Sequence, residues 1–72
     1  MHDLSDHWNM TLQSLTLILI VERSARRVLF CLESRDDFVI LPVAKHEDPR
    51  AFAEELAAWI RTSGATVLIE EA

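Results

Sequence analysis

Leu17-Ile18-Leu19-Ile20-Val21 is an unbroken aliphatic run, with Ser14 and Thr16 near its start and Glu22-Arg23-Ser24 after it. On a strand, successive side chains point to opposite faces, so Leu15, Leu17, Leu19 and Val21 would form one apolar face and Ile18 and Ile20 a second. Whatever this chain folds into must cover both sides of that strand. Two more runs follow. Arg27 to Glu33 sets Val28, Phe30 and Leu32 against Leu29 and Cys31, and Phe38 to Val43 sets Phe38 and Ile40 against Val39 and Leu41. The polar segments between them, Arg23-Ser24-Ala25-Arg26 and Ser34-Arg35-Asp36-Asp37, make the three strands a meander of two hairpins. Pro42 has no N–H for a ladder, so the third strand belongs on an edge or leaves the sheet there.

One segment carries clear helix signals and can cover this sheet. Asp48 can cap a helix, Pro49 suits its first position, and Gly64, after Arg61-Thr62-Ser63, suits the left-handed residue that ends it. Phe52, Leu56, Trp59 and Ile60 recur at helical spacing, so these four are expected to pack on the sheet while Arg50, Glu54, Glu55 and Arg61 face water. Ala65 to Ile69 then forms a fourth strand, closed by Glu70-Glu71. A right-handed crossover makes that strand parallel to the third. The expected fold is α+β, in the order β-β-β-α-β, with a mixed four-stranded sheet ordered 3-2-1-4 and one helix on one face. Residues 15–72 form this single domain. Residues 1–14 form either a short helix, from the spacing of Leu4, Trp8, Leu12 and Leu15, or an extended arm leading into the first strand. The arrangement is similar to the first half of ribonuclease-H-like folds. Those nucleases carry a metal-binding carboxylate within the first strand, where this chain has only Leu17 to Val21, so the resemblance implies topology and no nuclease.

A chain of 72 residues, half of them apolar, has the composition of one packed domain with a marginal core. Cys31 is the only cysteine and lies within an apolar run, which excludes an internal disulfide and suits a reducing compartment. The longest apolar run is too short to cross a bilayer. A cytoplasmic protein without a membrane partner is expected. The net charge of −5 opposes phosphate backbones, so no direct nucleic-acid ligand is expected either.

Several clusters could carry chemistry. His2, Asp3, Asp6 and His7 are metal-ligand types, but His2 and His7 are five apart and no closed set of four ligands exists. Lys45-His46-Glu47-Asp48 precedes the helix, yet Glu47 and Asp48 would oppose an anion and no nucleophile is spaced to pair with His46. No catalytic residue, cofactor or metal is therefore assigned. The candidate binding residues are Arg23, Arg26 and Arg27, whose guanidinium forks suit carboxylates or phosphates, together with Glu54 and Glu55 on the helix and Leu4 and Trp8 in the N-terminal segment. The most informative feature is the excess of apolar sheet over helix. It implies that the N-terminal Leu4–Trp8 segment, a second copy or a partner lies on the second sheet face, and hence a non-catalytic protein-interaction or regulatory domain that binds a protein partner, with a homodimer through that face or the β-edge as the first expectation. The alternative is an acidic inhibitor occupying the nucleic-acid-binding surface of a larger enzyme or complex, as small phage-encoded anti-defence proteins do. An enzyme or metal protein using His2, His7 or His46 ranks last.

Overall fold

The computed structural model describes residues 15–72. The helix-or-arm choice for residues 1–14, the His2–His7 cluster and the candidates Leu4 and Trp8 lie outside the described residues. The elements are β1 (Thr16–Glu22), β2 (Arg27–Leu32), β3 (Phe38–Pro42), α1 (Pro49–Arg61) and β4 (Thr66–Glu71). They form one sheet in the order β3-β2-β1-β4, as the sequence implies. β1 and β3 both run antiparallel to β2, and β4 runs parallel to β1. Leu19 lies beside Phe30 on one side and Ile69 on the other. The parallel ladder extends further than expected. Glu70 and Glu71 belong to β4, and the N–H of Ala72 still donates to the Val21 carbonyl at 3.0 Å, because β1 offers acceptors that far.

The helix begins and ends where its sequence signals lie. The Asp48 carboxylate accepts from the Ala51 N–H at 3.0 Å, Pro49 is the first helical residue, and Gly64 has φ 95° beyond the last turn. Asp48 thereby satisfies an N–H that the helix cannot pair internally.

One face of the sheet packs against α1. Leu17, Leu19, Val21, Val28 and Val67 meet Ala53, Ala57 and Ile60, with Phe52 and Leu56 packed at the margin. Leu19, Val21 and Val28 have no exposed surface, and each such side chain contributes about 1.5–3 kcal/mol of apolar transfer. The expected role of Trp59 does not hold, since the residue is 73% exposed. The stripe that meets the sheet is centred on Ala53, and Trp59 lies about 120° around the helix from it at roughly 100° per residue. Small alanines let the helix backbone approach the strands closely, and the large residues flank that contact. On the second face Ile18 and Cys31 are buried, with Cys31 Sγ 3.7 Å from the Ile18 carbonyl. The excess of apolar surface therefore does not sit on β1, where it was expected. It lies toward the margins of the sheet.

Candidate interaction surface

Phe38, Val39 and Ile40 follow one another on β3 and are 57%, 56% and 49% exposed. Parity in the ladder puts Phe38 and Ile40 on the second face, beside Cys31 and Leu29, and Val39 on the helix face, beside Phe30. Two gaps explain this exposure. β3 has a neighbour on one side only, and α1 packs on β1, β2 and β4. Leu32 and Trp59 extend the exposed apolar surface on the helix face. Beside Trp59 lies a groove of about 360 Å³ lined by Leu17, Phe30, Trp59, Ile60, Thr62 and Ser63. A smaller hollow of about 190 Å³ joins Phe30 and Leu32 to Asp37, Phe38 and Val39.

The backbone of β3 completes the surface. The N–H of Val43 donates to the Arg26 carbonyl at 3.0 Å, so alternate residues Val43, Leu41 and Val39 direct their polar groups at β2. Phe38, Ile40 and Pro42 consequently direct theirs outward. Among the described residues nothing hydrogen-bonds those of Phe38 and Ile40. The opposite edge differs. Thr66 and Ala72 donate to β1, which turns Val67, Ile69 and Glu71 outward, and the Arg61 guanidinium donates to the Val67 carbonyl at 2.6 Å. Among the described residues one edge is open and the other is interrupted by a charge.

The arginine candidates are not brought together. Arg23 binds Asp48 and Glu71, each at 2.9 Å, tying the first hairpin to the helix start and the end of β4. Arg26, in a left-handed conformation at φ 50°, donates to the carbonyls of Ala44 at 2.6 Å, Lys45 at 2.9 Å and Glu47 at 2.7 Å. That clamp fixes the loop before α1. Arg27 pairs with Glu22 across the hairpin. Arg35, the second left-handed arginine at φ 62°, reaches Glu70 at 2.6 Å. Since Glu70 stands on the second face of β4, this pair spans β1 and ties the β2–β3 turn to the far side of the sheet.

The acidic candidates divide. Glu54 pairs with Arg50 at 3.0 Å one turn away, while Glu55 is exposed without an ion pair among the described residues. Hydrogen bonds hold two carboxylates below their ordinary pKa. For Asp48 the Ala51 N–H is the larger cause and Arg23 the next, and for Glu70 it is Arg35. Among the described residues no three His, Cys, Asp or Glu side chains converge on a point where a metal could sit, and no helix is long and apolar enough to cross a membrane.

Sequence reasoning missed that β3 carries the exposed surface. Pro42 was the available signal, because it places this strand on an edge. No protein-family model, curated protein or solved structure matches this chain.

Proposed function

We propose that the protein is a small non-catalytic interaction module that binds a protein partner along the β3 side of its sheet. One observation carries the reading: three consecutive apolar residues, Phe38, Val39 and Ile40, stand about half exposed on a strand with an open edge. Such an edge templates the addition of another strand. Main-chain hydrogen bonds supply affinity and alternating side chains supply selectivity. The groups gathered there are apolar side chains and backbone amides, with Asp36 and Asp37 at the margin, a set suited to docking. An acidic mimic of nucleic acid is less well supported, because Asp48, Glu54, Glu70 and Glu71 already engage arginines.

A photo-crosslinking residue placed at Val39 in the source cells tests the reading, with the same residue at Glu55 as the control. A discrete protein adduct is expected from position 39 and none from 55. Its yield should hold or rise with salt, since salt screens charge pairs and strengthens apolar burial. Failure to form any adduct from position 39 would end the proposal, and a yield that collapses with salt would favour the acidic mimic.

A further inference from the structure

The partner of the β3 edge follows from what that strand can accept. Resting on the interaction reading above, we propose that β3 pairs antiparallel with β3 of a second copy, about a two-fold axis beside Val39. Phe38 then faces Ile40 of the other copy, and Val39 faces its own counterpart. Three features of the strand select this arrangement.

The first is hydrogen-bonding capacity. Phe38 and Ile40 carry the outward N–H and C=O groups, so setting one opposite the other's copy satisfies four main-chain bonds within the strand. Shifting the register so that Ile40 meets itself places Phe38 opposite Pro42, which has no N–H to return. That register also forms four bonds over the strand, but it leaves the Phe38 carbonyl at each end without a donor, whereas pairing Phe38 with Ile40 satisfies both groups of both residues.

The second is charge. Asp36 and Asp37 immediately precede Phe38. Parallel pairing would set them beside their own copies, and like charges directly opposite destabilise a sheet. A register centred on Phe38 brings the two Asp37 side chains within about 7 Å, whereas centring on Val39 moves them to about 13 Å at roughly 3.3 Å per residue. Antiparallel pairing centred on Val39 relieves the repulsion without giving up a bond.

The third is the match of faces. A two-fold axis perpendicular to the sheet keeps both helices on one side. Phe38 and Ile40, which share the second face, meet as an aromatic and β-branched pair of the kind that stabilises cross-strand contacts. On the helix face, Val39 and the groove bordered by Trp59 turn toward the other copy. The strand thus complements itself, as a two-fold interface requires.

The test uses the purified full chain. Sedimentation equilibrium should give about twice the 8.2 kDa chain mass, and Ile40→Lys should return it to one chain with an unchanged far-ultraviolet spectrum. In a Cys31→Ala background, Val39→Cys should oxidise to a covalent dimer, because directly opposed residues at a non-hydrogen-bonded site lie about 4.5 Å apart at Cα, within disulfide reach. Ser24→Cys, on the first hairpin turn, should not. A single-chain mass at millimolar concentration overturns self-pairing, as does a dimer that Val39→Cys fails to lock. If the purified chain is monomeric while position 39 still crosslinks a different protein in cells, the second copy is wrong and the interaction reading stands. If position 39 crosslinks nothing, both fall.

Discussion

β1 and β3 are built from the same kinds of residue, and their surroundings are opposite. Leu17, Ile18, Leu19 and Val21 are buried, whereas Phe38, Val39 and Ile40 are exposed. Hydrophobicity does not account for the difference. β1 has a strand on each side and the alanine stripe of α1 above it, while β3 has one neighbour and lies outside the helix's main contacts. Position in the ladder decides which apolar run becomes core and which stays exposed.

The strongest challenge to this contrast is a pair of truncations. Leu19→Ala in β1 should cost about 2–5 kcal/mol, enough to unfold much of so small a domain, because the site is closed on all sides. Val39→Ala in β3 should stay within about 0.5 kcal/mol of the parent in dilute solution. Urea melts of both variants measure this directly. Equal losses would mean that β3 is also core.

A finer probe concerns the helix. At 73% exposure, Trp59 should tolerate replacement by alanine at less than about 1 kcal/mol, although it is one of the largest side chains in the chain. A fall in Tm comparable with that of Leu19→Ala would show that the groove beside Trp59 closes in solution and that α1 reaches further toward β3.

The smallest effect expected is on acid stability. Asp48 and Glu70 have pKa values lowered by folding, so their stabilisation is complete above the ordinary values of 3.8 and 4.5 and is lost as the pH falls through the lowered ones. Tm should be level down to about pH 5 and decline below it. Asp48→Asn and Glu70→Gln should each flatten part of that decline. Because the Arg35–Glu70 pair ties the β2–β3 turn across the sheet, amide protection at residues 33–37, taken relative to the intrinsic exchange rate at each pH, should fall in acid before protection in β1 does. Simultaneous loss in both would blur the division between the two strands.

Much of this architecture was legible from the chain because its signals are local. Asp48, Pro49 and Gly64 mark the helix by backbone rules, and Pro42 marks the edge strand by its missing donor. What escaped depends on contacts distant in sequence. Arg23 finds Glu71 and Arg35 finds Glu70 only once the crossover has carried β4 beside β1, so a basic turn that looks like a binding site becomes part of the scaffold. The helix phase escaped for another reason. Counting large apolar residues favours Phe52, Leu56 and Trp59, whereas close packing on the sheet favours Ala53 and Ala57. The run from Phe38 to Leu41 looks buried because composition cannot say how far a helix of 13 residues extends over its sheet.

The single hydrogen bond from Arg61 to the Val67 carbonyl has a consequence for valence. A sheet able to add strands at both ends is a monomer unit for a fibre, since each new copy regenerates the edge it consumes. Here a guanidinium that would have to be desolvated and displaced interrupts the β4 end, while the β3 end is free. On the proposed pairing through β3, growth past two copies would have to proceed at the β4 end, where a strand must first displace that charge, a cost that the first addition does not carry.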